Sequence, residues 1–129
     1  MKIAKCKIKM QNERNSLSER LLDFAANIIK LAIQLNKSAI GRHIGGQLVH
    51  SGTSAGANYE EACGAESRAD FVHKLQIVLK ELRESLYWLR LIRKAVLISE
   101  TDMQLSFLLQ EGKELSNIIA KSIVTAKTK

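Results

Sequence analysis

The stretch from Ser51 to Leu91 constrains the fold of this chain more than any other part of the sequence. It begins with a run of small residues, SGTSAGAN, and continues into a long amphipathic segment that contains a Tyr-Trp pair. Each interior glycine of a helix costs about 1 kcal/mol relative to alanine, so a helix rich in Gly, Ser and Ala persists only where other backbones pack closely against it. The stretch therefore predicts a helical bundle with one tight seam.

The composition also favours an all-α domain. The 129 residues are enough for one domain with one hydrophobic core. There is no proline to interrupt long helices, and the aromatic content of 5% is low for strands. No apolar run reaches the roughly 18 residues of a transmembrane span, and two cysteines are too few for a disulfide framework. The basic N-terminus lacks the apolar region of a signal peptide, so we expect a cytoplasmic protein that does not bind a membrane.

Four helices are predicted, three of them from stripes of apolar residues that recur mostly with spacings of three and four. The predicted stripes are Leu17, Leu21, Phe24, Ile28, Leu31 and Leu35 in helix 1, Phe71, Leu75, Val78, Leu82, Leu86, Leu89 and Val96 in helix 3, and Leu105, Leu108, Leu115, Ile119 and Ile123 in helix 4. Capping boxes, in which two side chains three residues apart each satisfy a free amide of the other, predict helix starts at Ser16, Ser67 and Ser99. Helix 2 is expected over about 39–64, with a loop as the alternative, and helix 3 is expected to end at about Ile98. Four long helices with short connections predict an antiparallel up-down-up-down four-helix bundle.

The small residues of helix 2 indicate where the seam lies. Gly52 and Gly56 are one turn apart on one face, beside a stripe of small residues that includes Asn58. We expect these positions to let a neighbouring helix approach closely. Glu61 directly follows the stripe, and we expect it to be partly buried and paired with a base from helix 3.

The net charge of +7 is concentrated at the two ends of the chain. Residues 1–14 carry a net +4 and residues 121–129 a net +3, whereas residues 15–120 hold twelve basic and twelve acidic side chains. We therefore divide the chain into a basic N-terminal arm (1–15), a four-helix bundle (16–124) and a basic C-terminal tail (125–129). The arm is expected to be a short strand or disordered.

Basic tails bind nucleic acid through phosphate contacts, or serve only as solvated ends that aid solubility. If the tails bind nucleic acid, the candidate residues are Lys2, Lys5, Lys7, Lys9, Arg14, Lys121, Lys127 and Lys129. If binding does not depend on the tails, the next candidates are the bundle residues Arg42, Arg83, Arg90 and Arg93.

No catalytic or metal-binding pattern emerges, so we expect a protein that is not an enzyme and needs no cofactor. Asp70-x-x-His73 is one imperfect copy of a motif that a di-metal bundle site needs twice. His43 and His50 lack a third ligand, and Cys63 has no His or Asp placed by the sequence to activate it.

The charged and aromatic residues of helix 3 have a structural interpretation. Its glutamates and basic residues, with Glu60 and Glu61 before them, predict a salt-bridged helix face. Tyr87 and Trp88 each combine a large apolar body with a polar group, so we expect them to contribute to the core and to an interface.

A long ordered series of these residues resembles a known family. The series is Ser51-Gly52-Thr53-Ser54-Ala55-Gly56-Ala57-Asn58, Glu61-Ala62, Ser67, Asp70-Phe71, Lys74, Lys80-Glu81, Glu84 and Tyr87-Trp88-Leu89. It is similar to the four-helix bundle family of 23S ribosomal RNA intervening-sequence proteins. The resemblance covers roughly residues 17–120 and is most specific across residues 47–91.

The resemblance implies an antiparallel four-helix bundle that assembles as a ring-shaped homopentamer, without a catalytic motif. It also implies relatives encoded within insertions of 23S rRNA genes, and a related branch that assists the reverse transcriptases of diversity-generating retroelements. We therefore expect a non-enzymatic assembly that binds RNA or DNA by sequence-independent electrostatics. The alternative is a protein-interaction or structural accessory module without direct nucleic-acid binding, and an enzyme or metal carrier ranks last.

Overall fold

The computed structural model describes the backbone of residues 2–128 and the side chains of residues 17–128. It contains four helices, α1 Lys2–Gln34, α2 Ala39–Cys63, α3 Arg68–Lys94 and α4 Met103–Thr128. Each helix contacts the next along the chain, and α4 also contacts α1, so the helices surround one core. No strand occurs within residues 2–128, and the prediction of an all-α helical bundle is confirmed.

The apolar stripes predicted from the sequence form the core of the bundle. All residues of the predicted α1 and α4 stripes are buried, apart from the partly buried Leu17. In α3 the stripe is buried except for Leu86, which is half-buried, and Val96, which is exposed and lies beyond the helix. The largest fully buried side chains include Phe24, Leu48, Tyr59, Leu75, Leu82, Leu89, Leu105 and Leu108.

The first helix is longer than the sequence analysis expected. A short strand or a disordered arm was expected before Ser16, but α1 runs unbroken from Lys2. Residues 2–34 contain no glycine or proline, so nothing in this segment stops a helix from continuing through Ser16. The tail cations Lys2, Lys5, Lys7, Lys9, Arg14 and Lys129 lie outside the residues whose side chains are described. The division into arm, bundle and tail stays a prediction, although α1 and α4 both continue through its boundaries.

Three of the helices begin at hydrogen-bonded caps. The Ser38 hydroxyl accepts from the Gly41 amide at 3.0 Å, a cap that the sequence analysis missed. The Ser67 hydroxyl accepts from the Asp70 amide at 3.0 Å, which confirms the predicted start of α3. The start predicted for α4 at Ser99 is wrong, because the Asp102 carboxylate accepts from the Leu105 amide at 2.9 Å and so caps the helix instead.

Helix α3 ends at Lys94 rather than near Ile98, because a C-terminal motif closes it. The Val96 amide donates to the Arg93 carbonyl at 3.1 Å, and the Leu97 amide donates to the Ile92 carbonyl at 3.0 Å. These two hydrogen bonds define a Schellman motif, which needs a residue with positive φ after the helix. Here that residue is Val96, with a φ of 55°.

The small residues of α2 form a close interface with α1. A Cβ atom at Gly52 would meet Ile28, and a Cβ atom at Gly56 would lie 3.6 Å from the Leu21 Cβ atom. A Cβ atom at Gly45 would lie 3.6 Å from Ala32. Residues 39–63 form a helix and not a loop. The glycines of this helix allow the backbones of α1 and α2 to approach each other, as predicted.

Candidate functional site

An open groove of about 540 Å³ lies between α3 and α4. Helix α3 contributes three arginines, one leucine and one tyrosine, and α4 contributes one lysine and one leucine. The lining residues are Arg83, Leu86, Tyr87, Arg90, Arg93, Leu109 and Lys113. The described residues that line the groove include four cations and no acidic side chain, so they form a positively charged surface on the bundle.

The helical period of α3 explains why its lining residues share one face. Arg83, Tyr87 and Arg90 are separated by four and three residues, which places them above one another on a helix. Leu82 and Leu89 face the core and are fully buried, so the neighbouring stripe points outwards beside α4. The groove thus follows from the same periodicity that builds the core.

The cations of the groove have no carboxylate partner in the part of the chain whose side chains are described. Within residues 17–128, none of Arg83, Arg90, Arg93 and Lys113 forms an ion pair. The acidic residues Glu111 and Glu114 of α4 pair with a cation of α1.

Arg20 of α1 is the partner of those acidic residues. Its guanidinium donates to both carboxylate oxygens of Glu111, from Nε at 3.0 Å and from Nη2 at 2.7 Å. Nη2 also lies 3.3 Å from Glu114. The hydrogen bond to Glu111 is the main cause that raises the pKa of Arg20 above its usual value. This bidentate pair joins α1 to α4.

An exposed aromatic ring lies among the arginines. The Tyr87 side chain is 55% exposed and makes an edge-to-face contact with Trp88, with ring centroids 5.1 Å apart and an interplanar angle of 76°. Trp88 packs against the core, and its Nε1 donates to the Glu84 carboxylate at 3.2 Å. Trp88 thus takes the core role expected for the pair, while Tyr87 is presented to the groove.

Two other residues singled out from the sequence, Glu61 and Asn58, form hydrogen bonds within the bundle. Lys74 of α3 donates to the Glu61 carboxylate at 2.7 Å, so the predicted partner is confirmed, and this hydrogen bond is the main cause that raises the pKa of Lys74. The expected burial of Glu61 is wrong, because the residue is exposed. The Asn58 amide group donates to the Ser54 carbonyl of its own helix at 2.9 Å.

Of the salt-bridged face predicted for α3, the described residues show the Lys74–Glu61 pair. Glu81 is buried and Glu84 binds Trp88, while Arg83 and Arg90 have no carboxylate partner among residues 17–128. On α3, Glu81 is therefore part of the buried interior, whereas Arg83 and Arg90 line the basic groove. Residues 15–120 have a net charge of zero, and that value gave no sign of the local excess of positive charge in the groove.

The remaining candidates do not come together into a site. His43 and His50 are exposed, and Cys63 is half-buried against the core. Lys121 and Lys127 are exposed on α4, away from the lining of the groove. No group of three potential metal-ligating side chains is found among the described residues, nor is any described helix long and apolar enough to cross a membrane.

Some parts of the site depend on tertiary packing and were not predicted from the sequence. Arg83, Arg90 and Arg93 were secondary candidates, and the structure places them together, whereas Arg42 lies outside the groove. Lys113 could be assigned to the site only once α4 was known to lie beside α3. The signal available in the sequence was the helical spacing of Arg83, Tyr87 and Arg90.

Fold and surface together define a four-helix bundle with an open basic groove. The chain belongs to the 23S rRNA-intervening sequence protein family, whose family model matches residues 13–121. Its fold is similar to that of a crystallised protein of unknown function from the S23 ribosomal protein family of Bacteroides thetaiotaomicron. That chain is 34% identical, with a TM-score of 0.76, and the match covers 83% of this chain and 97% of the other. No curated protein matches the chain.

Proposed function

We propose that this protein is a non-enzymatic, oligomeric four-helix bundle that binds nucleic acid, and RNA in particular, through sequence-independent contacts to phosphates. The observation that carries the proposal is the groove between α3 and α4, in which four cations have no carboxylate partner within residues 17–128. Cations left unpaired on a surface attract phosphate oxygens and release the counterions of the nucleic acid. The basic residues at the two ends of the chain add to the same positive field.

Assembly would strengthen such binding. We propose that the bundle forms a ring-shaped homopentamer, in which five copies of a +7 chain carry about +35 on one particle. The support is an apolar stripe on the outer face of α1, where Leu22, Ile29 and Ile33 are exposed with spacings of seven and four. An exposed stripe of this kind on a helix is typical of an interface between proteins.

The proposal also includes an antiparallel order of the helices. Residues late in α1 lie near residues early in α2, as in the Ala32–Gly45 contact, and Leu21 lies near Gly56. Between α1 and α4, Arg20 binds Glu111 whereas the later Gln34 binds the earlier Gln104. In each case a later residue of one helix lies near an earlier residue of its neighbour. This pattern supports neighbouring helices that run in opposite directions, as in an up-down-up-down bundle.

The binding proposal is tested by two variants with equal loss of charge. The groove variant combines Arg83→Ala, Arg90→Ala and Arg93→Ala. The control variant combines Lys30→Ala, Lys37→Ala and Arg42→Ala, which are exposed and outside the groove. With a mixed-sequence RNA oligonucleotide at low salt, filter binding should show an affinity loss of about tenfold or more for the groove variant and a much smaller loss for the control.

The other results of this experiment contradict the proposal in distinct ways. Equal losses for the two variants would show that total charge, and not the groove, sets the affinity. A loss confined to a variant with Lys2, Lys5, Lys7 and Lys9 changed to Gln would move binding to the N-terminal segment. If the intact protein binds neither RNA nor DNA at low salt, the protein-interaction module becomes the better account, and the exposed stripe on α1 becomes its candidate surface.

A further inference from the structure

The basic groove combines two kinds of chemistry, and the second is not needed for phosphate binding. Arg83 and Arg90 are seven residues apart on α3, which separates their Cα atoms by roughly 10 Å along the helix axis. Tyr87 lies one turn from each of them, with its side chain 55% exposed. A groove that recognised only phosphates would have no use for an exposed aromatic ring between its cations.

The Tyr87 ring is held in place from behind. Trp88 contacts it edge to face at a centroid distance of 5.1 Å, and Trp88 is itself anchored by the core and by the Glu84 carboxylate. A ring whose position is already restricted loses less conformational freedom when a ligand packs against it. Tyr87 is therefore suited to act as a stacking surface and not only as a spacer between arginines.

We propose that the groove binds unpaired nucleotides, with a base stacked on the Tyr87 ring and flanking phosphates on Arg83 and Arg90. This inference rests on the nucleic-acid binding proposed above and specifies the form of nucleic acid bound. Bases in a duplex are stacked on each other and paired, so their faces are inaccessible to a side chain on the outside. Only a single strand, a loop or an end offers a free base to stack on an aromatic ring.

Among the described residues, no amide or carboxylate side chain lines the groove to read the edge of a base. Among its lining residues the polar side chains are Tyr87 and the four cations, and each cation is suited to a phosphate. Stacking tolerates any base because every base has a π-face. The site is therefore expected to select single strands over duplexes with little preference for sequence.

The test compares Tyr87→Ala with Phe107→Ala, a second aromatic residue that is 53% exposed but lies outside the groove. Both variants are titrated, by fluorescence anisotropy at constant salt, with a labelled single-stranded RNA, a duplex of equal length and an abasic strand. The abasic strand carries the same phosphates without bases. Tyr87→Phe is the conservative variant, because it keeps the ring and removes only the hydroxyl.

Loss of one stacked base predicts a weakening of single-strand binding by roughly 5- to 150-fold in Tyr87→Ala. Duplex affinity should be unchanged, and Tyr87→Phe and Phe107→Ala should bind like the parent protein. The parent should bind the abasic strand as weakly as Tyr87→Ala binds the intact strand, and Tyr87→Ala should lose nothing more on the abasic strand.

Two results would overturn the inference. If Tyr87→Ala binds the intact single strand as tightly as the parent does, the groove binds phosphates alone, and the proposed function stands without base stacking. If the parent protein binds none of the three ligands, the proposed function fails and this inference fails with it. Circular dichroism of each variant checks that the helices are retained.

Discussion

A Cβ atom placed on Gly52 of α2 would lie 2.5 Å from Cδ1 and 3.2 Å from Cγ2 of Ile28 of α1. Ile28 is fully buried, so its side chain has little room to move aside. Gly52→Ala should therefore destabilise the protein, because an overpacking cost of about 1–3 kcal/mol exceeds the helix-propensity gain of about 1 kcal/mol. Urea unfolding should show a lower midpoint with an unchanged slope.

Gly46 provides the matched control on the same helix. It is exposed, and a Cβ atom at this position would have no neighbour within 4 Å. Gly46→Ala should raise the free energy of unfolding by about 1 kcal/mol through helix propensity alone. Gains of equal size for Gly46→Ala and Gly52→Ala would mean that α1 and α2 do not approach each other at Gly52 as described.

The end of α3 stores strain that a glycine would relieve. Val96 has a φ of 55°, a region in which a β-branched side chain is strongly disfavoured. Val96→Gly should stabilise the protein by about 1 kcal/mol, since the left-handed conformation costs roughly 1–2 kcal/mol for residues with a Cβ atom. Val96→Ala keeps a Cβ atom and should gain less. A lower melting temperature for Val96→Gly than for the parent would contradict this account.

Ser51 and Ser85 form a buried polar link between α2 and α3. Their hydroxyl oxygens are 2.8 Å apart, and each also lies within hydrogen-bond distance of a carbonyl of its own helix. Each single change to Ala should cost about 1 kcal/mol, and the double variant should cost less than the sum of the two. Additive losses in a double-mutant cycle would show that the hydroxyl pair contributes no coupling.

The exposed stripe on α1 makes a prediction about assembly. Ile33 is 68% exposed, and Ile33→Asp should break the proposed pentamer into smaller species by placing a charge in an apolar interface. Val124 of α4 is 63% exposed and not part of the stripe, so Val124→Asp serves as the control. Light scattering should give a mass near five chains for the parent and the control. A monomeric parent protein at micromolar concentration would contradict the assembly.

The sequence predicted the helices and their buried faces well, because apolar periodicity and glycine spacing are local signals. The spacing from Leu21 to Leu35 indicated the core face of α1, and the spacing of Gly52 and Gly56 indicated the seam. Helix ends were harder to predict. Ser99 and Asp102 are both good caps, and only the path of the loop selects Asp102.

The groove could not be derived from the sequence because it depends on which charges meet in space. Charge counting gave a neutral bundle, and it could not reveal that Glu111 and Glu114 pair with Arg20 of α1. Those ion pairs join residues about ninety positions apart in the chain. The side chains of Arg83, Arg90 and Lys113 have no carboxylate partner among residues 17–128.

The salt dependence of RNA binding tests the central claim most directly, because its slope reports how many phosphates are contacted. The logarithm of the binding constant should fall linearly with the logarithm of salt concentration, by about 0.7 for each phosphate contact to a single strand. Replacing Arg83, Arg90 and Arg93 by Ala should make that slope shallower by about 2, whereas replacing Lys30, Lys37 and Arg42 should leave it nearly unchanged. Equal slopes for the parent and the groove variant would contradict the claim that this groove binds nucleic acid.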